Sequence, residues 1–474
     1  MDESSHRLVH LDLKGAPPKI SYMQKIFPLF KAWGATGLLI EYEDMFPYHG
    51  KLSVLASATA YSPSEIKEIL QIAKQNNLFV IPLIQTFGHL EFVLKHREFA
   101  GLRELPDYPM SLCPSKYDSL IVVQTMIDQV MTSHPDTKWL HIGCDEVYHM
   151  GLCEDCKRIM TDEKLVVEQI FFSHVNSVAS YVREKYPGIT PIIWDDMLRF
   201  SELPLLKESG LGELVEPMVW HYLTEFMLPP DLFDRLSKVF PNVWVASAFK
   251  GATGSSMVVT NIIYHIDNHL AWLKAVECEK PKFKNIRGIA VTGWQRYDHY
   301  SILCELIPHS LPSLAICLQI IKKGCFSQDI HSEISNQLKF TSLLPLVPYN
   351  ITEEISCEFP GSDVYVGSLK IVRLSAEADA LLNSTGVFTW MNDYCIEKNF
   401  TNPNHLQPMV NEAIRLLGHI QQVKINLNQV LTEIFYPNTV DEWLGVHVLP
   451  RFQKLTKIME SGQQQLENFR TKNS

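Results

Sequence analysis

The residues best suited to chemistry are Asp145 and Glu146. They close the run His141-Ile142-Gly143-Cys144-Asp145-Glu146, directly behind Lys138-Trp139-Leu140. The run reads as a short buried strand that ends in two adjacent acids. At a strand end the alternation of side chains relaxes, so both carboxylates can turn into one pocket. One can stay ionised while the other, in a drier setting, keeps its proton near neutrality and donates it. The same dipeptide begins at Asp2, Asp162 and Asp441, but only the copy at Asp145 follows an apolar strand and a glycine. Three tryptophans add a second ingredient: Trp194 in Ile193-Trp194-Asp195-Asp196, Trp220 in Val219-Trp220-His221-Tyr222, and Trp294 in Thr292-Gly293-Trp294-Gln295. Flat apolar walls of this kind suit the faces of a pyranose ring, whose hydroxyls want polar groups at the rim.

These residues need a scaffold that gathers strand ends. Apolar runs at Leu8 to Leu13, Gly37 to Glu41, Phe79 to Ile84, Lys138 to Ile142, Thr190 to Trp194, Pro217 to Trp220, Val243 to Ala246 and Gly288 to Thr292 alternate with helical segments. One helix spans about Lys19 to Trp33, and another opens at Ser62-Pro63-Ser64-Glu65, a capping pattern with Pro in the first turn. Eight such βα units in residues 1–325 predict a closed parallel (β/α)8 TIM barrel. Asp12, Glu43, Asp44, His89, Asp145, Glu146, Trp194, Asp195, Trp220, His221 and Trp294 then converge on its C-terminal face. A doubly wound open sheet would need a glycine-rich phosphate turn after the first strand. Lys14-Gly15-Ala16-Pro17-Pro18 does not supply one. Residues 326–474 read as a mainly α-helical C-terminal domain, packed on the barrel or on a second subunit. A long amphipathic helix runs from His405 to Phe435, and another follows Pro450. These helices admit a homodimer.

In this setting the chain resembles the family 20 glycoside hydrolases, the β-N-acetylhexosaminidases. The resemblance covers the barrel and rests on four pieces taken together. They are the His-x-Gly-x-Asp-Glu strand end at His141 to Glu146, an Arg five residues before an Asp (Arg7, Asp12), Gly88-His89 after the third strand, and Glu43-Asp44-Met45-Phe46-Pro47 after the second. It implies an exo-acting retaining enzyme that removes terminal β-linked GalNAc or GlcNAc, with the substrate's 2-acetamido group as nucleophile. That is an exception to the two-carboxylate scheme. It implies further that Asp145 orients the acetamido nitrogen and that Glu146 is the general acid and base. His89, with a carboxylate from Glu43 or Asp44, would tune Glu146. Arg7 would hold outer hydroxyls, and Trp194, Trp220 and Trp294 would enclose the sugar. No metal or organic cofactor is implied. Two departures stand out. The family's Tyr after strand seven is missing from Ser247-Ala248-Phe249-Lys250, leaving Tyr222 as a substitute, and Arg296, with Asp298 nearby, stands where the family often has an acid. The second departure favours galacto-configured substrates. The first supports the alternative of a non-catalytic N-acetylhexosamine-binding barrel.

The composition sets the outer bounds. At 474 residues, with 46% hydrophobic and 20% charged, the chain suits a packed globular fold. A net charge of −11 argues against a nucleic-acid partner. There is no apolar run long enough to span a membrane. Scattered cysteines and an N-terminus without a signal peptide predict a cytoplasmic or nuclear protein, against which stand the sequons at Asn350, Asn383 and Asn399. Cys153-Glu154-Asp155-Cys156 has the spacing of half a zinc knuckle, but no second pair lies nearby in sequence, so it reads as a loop with two thiols. His10 and Asp12 faintly suggest a metallo-hydrolase, a reading that lacks enough strand-end histidines beyond His89 and His221. His265, His269 and His299 read as helix-surface or loop residues.

Overall fold

The computed structural model describes residues 5–348 and 354–472. Asn350 therefore lies outside the described residues. Eight parallel strands close into a barrel: β1 (His6–Asp12), β2 (Gly37–Glu41), β3 (Phe79–Leu83), β6 (Trp139–His141), β7 (Thr190–Trp194), β8 (Glu216–Trp220), β9 (Asn242–Lys250) and β10 (Asn285–Gly293). Closure comes from β1, which pairs with both β2 and β10. The predicted barrel is the one observed. A short antiparallel hairpin, β4 (Arg103–Leu105) and β5 (Tyr108–Leu112), sits between β3 and β6 and was not foreseen. Residues this short and partly polar carry no periodicity that distinguishes them from a loop.

Side-chain parity explains why each strand is apolar on both faces. Leu8, Leu39, Ile81, Ile192, Met218 and Ala290 fill the barrel's interior. Their neighbours Val9, Leu38, Ile40, Ile193, Val219 and Val291 face outward into the layer of helices. The alternation leaves no solvated face, as a fully enclosed parallel sheet requires.

The helix Ile20–Trp33 follows β1, and Pro63–Gln75 follows β2. The second starts with the predicted capping box: Ser62 Oγ accepts from Glu65 N–H (3.2 Å), and Ser62 N–H donates to Glu65 Oε2 (2.7 Å). In the C-terminal part, Pro403–Ile434 and Leu449–Lys472 match the two predicted helices, joined by Ser362–Leu382 and Pro437–His447. This layer packs on the barrel of the same chain. Tyr22 donates to Pro360 O (2.9 Å), Lys19 N–H donates to Ile434 O (2.7 Å), and the helix Ile307–Lys323 is buried from Ile307 to Ile321.

Candidate active site

A cavity of about 330 Å³ opens at the C-terminal end of the strands. Its walls include Trp194, Trp220, Trp294 and Tyr222, and its polar lining includes Asp145, Glu146, His89, Glu41, Gln85 and Lys14. Tyr222 stacks on Trp220 at 5.1 Å, and Trp194 meets Trp294 at 5.9 Å. Trp220 is fixed from two sides, its indole N–H donating to Asp196 Oδ1 (3.0 Å) and the Arg199 guanidinium lying over its ring (4.4 Å).

The acid pair leaves β6 through strained backbone. Gly143, Cys144 and Glu146 all have positive φ (66°, 70° and 48°). Glycine suits position 143 because its φ is left-handed and a Cβ there would press on Gln85, 2.0 Å from Oε1 and 3.2 Å from the Cα. Across the pocket mouth, Gly88 lets the loop after β3 approach so closely that a Cβ would meet the Asp145 carbonyl at 2.2 Å. That approach delivers His89, itself at φ 49°, to the two acids: Nε2 stands 3.0 Å from Glu146 Oε2 and 3.5 Å from Asp145 Oδ2.

Electrostatics separate the two carboxyls. Burial pushes the Asp145 pKa up against the opposing pull of His89, with Glu41 adding to the rise. Its Oδ1 is buried without a hydrogen-bond partner. Glu146 is half open to solvent, and the hydrogen bond from His89 holds its pKa below the usual value despite partial burial. Tyr148 also donates to it (2.5 Å), and its backbone N–H donates to Asp196 Oδ2 (2.9 Å). Burial disfavours the His89 cation, but Asp145 and Glu146 outweigh it and raise the pKa to about 10. In this arrangement His89 is therefore protonated and Glu146 ionised. A ligand that displaces water from Glu146 raises its pKa towards that of a proton donor. Asp196 is half-buried, and desolvation together with the neighbouring Asp145 charge raises its pKa to about 7.

The family model for the catalytic domain of glycosyl hydrolase family 20 matches residues 41–223. Hexosaminidase D of Homo sapiens is 45% identical over 461 residues, covering 96% of this chain and 93% of its own length. The chain belongs to glycosyl hydrolase family 20, the β-N-acetylhexosaminidase family. Hexosaminidase D of Bos taurus is 50% identical over 340 residues, 71% of this chain and 98% of that protein. Among solved structures, a β-N-acetylhexosaminidase aligns with a TM-score of 0.52 at 16% identity, over 70% of this chain and 75% of that one. The β-N-acetylhexosaminidase of Bacteroides fragilis aligns at 0.50 and 18%, over 67% and 66%. These structural likenesses bear on the fold.

Within this family-20 site, several predicted residues stand elsewhere than expected. Arg7 does not reach the cavity. Its neighbours His6 and Leu8 point into the barrel, so parity turns Arg7 outward, at the N-terminal end of β1, where it donates to Gly34 O (2.7 Å) and Ser5 O (3.1 Å). Asp12 is buried at the pocket edge as a brace, accepting from Lys14 N–H (3.1 Å) and Gln295 N–H (2.8 Å). Glu43 and Asp44 turn away from His89. Glu43 faces Lys14 (3.6 Å) and His299 (3.3 Å), and Asp44 faces Lys95 (4.0 Å). Asp298 holds a turn, accepting from Tyr300 and Ser301 N–H (2.8 and 3.0 Å). Arg296 does line the cavity, with its guanidinium tied to Glu442 of the C-terminal layer. His265 and His269, read as surface residues, are fully buried in the helix Ile262–Glu279. His299 is mostly buried and bridges Glu43 and Lys95.

Lys14, Glu41, Gln85 and Asp196 were missed. Glu41 ends β2 as Asp145 ends the β6 run, and the same strand-end argument finds it. Although burial opposes its charge, Lys14 (3.2 Å) and His10 (3.1 Å) keep Glu41 ionised. Cys153 and Cys156 are also not merely two loop thiols, because Cys113 and Glu104 converge on them from the hairpin.

Proposed function

We propose that this enzyme removes terminal β-linked N-acetylhexosamine with retention, the substrate's acetamido oxygen attacking C1. The observation that carries the reading is Asp145 Oδ1, buried and unpartnered beside Glu146 in a tryptophan-walled cavity. A buried carboxylate oxygen without a donor costs free energy that an incoming N–H would recover. The acetamido N–H suits that place. Asp145 then orients the amide and stabilises the positive charge that grows on its nitrogen as the oxazoline closes. Glu146 gives its proton to the departing oxygen and takes one from the water that opens the intermediate. His89 positions Glu146 and offsets the negative charge of the pair. Tyr222, whose ring packs against Trp220 and Trp294, supplies the hydroxyl that holds the acetamido carbonyl in this reading. The outer hydroxyls meet Arg296 in place of an acid, which supports faster turnover of N-acetylgalactosaminides than of the gluco epimers.

A cytosolic or nuclear location is part of the same proposal, supported by ten cysteines that are all free. No helix among the described residues is long and apolar enough to cross a membrane.

The decisive experiment follows nitrophenol release from the two β-N-acetylhexosaminides bearing none, one, two or three fluorines on the acetamido methyl. Fluorine weakens the carbonyl oxygen as a nucleophile, so kcat falls steeply along the series if that oxygen attacks C1. A flat series rejects substrate assistance. Glu146→Gln removes the proton donor and lowers kcat about 10²–10⁴-fold.

A further inference from the structure

The hairpin β4–β5 and the segment leaving the catalytic loop meet at a cluster outside the active-site cavity. Cys113 follows β5 and is fully buried. Cys153 caps the helix Glu154–Glu163, and Cys156 lies buried in its first turn. The Cys113 sulfur stands 3.4 Å from that of Cys153 and 3.7 Å from that of Cys156. Glu104, on β4 and 1% exposed, brings Oε2 to 3.3 Å from Cys156 Sγ. One donor atom from each of the four lies within 4.8 Å of every other.

Three observations point to a ligand. The edges fit a coordination tetrahedron: Zn–S of about 2.3 Å and Zn–O of about 2.0 Å give S–S edges of about 3.8 Å and S–O edges of about 3.5 Å. The number of thiols is odd, and a disulfide between any two would leave the third and the carboxylate unexplained. Glu104 is also a buried carboxylate with no basic side chain paired to it among the described residues. Its Oε1 takes two backbone N–H groups, from Leu152 (2.6 Å) and Cys153 (2.8 Å), which orients Oε2 towards the sulfurs. A buried carboxylate without a cation is costly, and a dication supplies one. We propose that Glu104, Cys113, Cys153 and Cys156 form a structural site for one tetrahedral, thiophilic divalent cation of the zinc class.

Three thiolates select against magnesium and calcium, which want oxygen ligands. The outer partners for such a centre are in place. Cys156 N–H donates to Cys153 Sγ (3.4 Å), Ser115 Oγ lies 3.0 Å from Cys156 Sγ, and the helix N-terminus faces the negative cluster. On binding, the three thiols release their protons to solvent as the metal–sulfur bonds form. The site joins chain that follows His89 to chain that follows Glu146. At the same seam the tilted rings of Tyr108 and His149 pack with centroids 4.2 Å apart. The ion thus clips the exit of the catalytic loop to the hairpin and contacts no substrate.

The test is metal content and cobalt spectroscopy on the full-length protein, purified under reductant and re-equilibrated with zinc before gel filtration. The expected result is about one zinc per chain, as a four-ligand site binds. Stripping it with chelator should lower the melting temperature, and zinc should restore it. Cobalt(II) added to the stripped protein should give the visible bands of a tetrahedral site together with thiolate charge transfer. Cys113→Ser should lose the metal. Glu104→Gln keeps an amide oxygen for the two N–H groups, so it should fold and bind cobalt at least tenfold more weakly. A folded wild type that takes up neither zinc nor cobalt overturns the proposal. So does a disulfide among these cysteines in the reduced preparation, or full metal retention by Cys113→Ser.

Discussion

The two ends of the barrel are made from the same eight strands and treat their polar groups in opposite ways. At the N-terminal end the His6 ring stacks on Trp244 (5.6 Å) and meets Phe79 and Trp139 edge-on, so aromatic rings plug the floor. The polar groups there find partners: Trp244 Nε1 donates to Glu216 (2.8 Å), which Arg287 holds from the other side (2.7 Å). At the C-terminal end Asp145 Oδ1, Gln85 Oε1, Trp194 Nε1 and His141 Nε2 are all buried without partners. Four of the eight non-glycine residues with positive φ among those described (Glu43, His89, Cys144 and Glu146) also lie at that end. Of the unpartnered residues, Asp145, Gln85 and Trp194 line the cavity, where a ligand can meet their unpaired groups, while the opposite end is packed to hold the barrel closed.

Separating activity from stability tests that contrast most strongly. Asp145→Asn keeps the shape and removes a buried charge, so kcat/KM should fall about 10²–10⁴-fold, the range of a lost electrostatic or acid–base group. Its melting temperature should stay level or rise, because the charge is a burden to the fold. A melting temperature well below wild type would show that Asp145 is structural. At the other end, Trp244→Ala should cost about 3–5 kcal/mol of stability, as large-to-small changes in tight cores do. Denaturant unfolding measures that loss, and kcat of the folded fraction should stay within a few-fold of wild type.

His89 links the two properties through pH. Its pKa in the fold is about 10 against 6.5 for the free side chain. The stability it contributes as a cation between Asp145 and Glu146 is therefore complete below pH 6.5 and is lost as the pH climbs towards 10. His89→Gln should melt lower than wild type at pH 6, and the gap should close by pH 10. A gap that is constant over this range would mean that packing, and not charge, accounts for the contribution.

The sequence made the top of the barrel legible for a definite reason. A closed parallel barrel brings every strand C-terminus to one face, so Asp145, Glu146, His89, Trp194, Trp220 and Trp294 could be gathered without knowing a single contact. Where the reading failed, a local rule was stretched too far. Arg7 was placed by its distance from Asp12, whereas the two-residue period of β1 sends it outward. His265 and His269 sit in a helix with a mixed face, and polarity alone put them on the surface. Cys153 and Cys156 lacked a second pair only in sequence. Cys113 lies 40 residues away and Glu104 nearly 50, brought in by a hairpin too short to announce itself.

The mildest test concerns the seam between the barrel top and the C-terminal helices. Glu442 accepts from Arg296 and from Leu303 N–H (3.2 Å), so a helix of the outer layer orients a cation that lines the cavity. Glu442→Gln retains an oxygen for Leu303 and cancels the charge that anchors Arg296. Freed, the guanidinium samples more positions, and each substrate must order it again on binding. A cost of about 0.5–1.5 kcal/mol for immobilising one long side chain corresponds to a KM rise of roughly two- to tenfold. Because the proposed role of Arg296 is to hold outer hydroxyls and not the bond that breaks, kcat should hold. A fall in kcat with KM unchanged would instead place Arg296 among the groups that act in the transition state. The division between a binding rim and a reacting floor would then have to be redrawn to include the C-terminal layer.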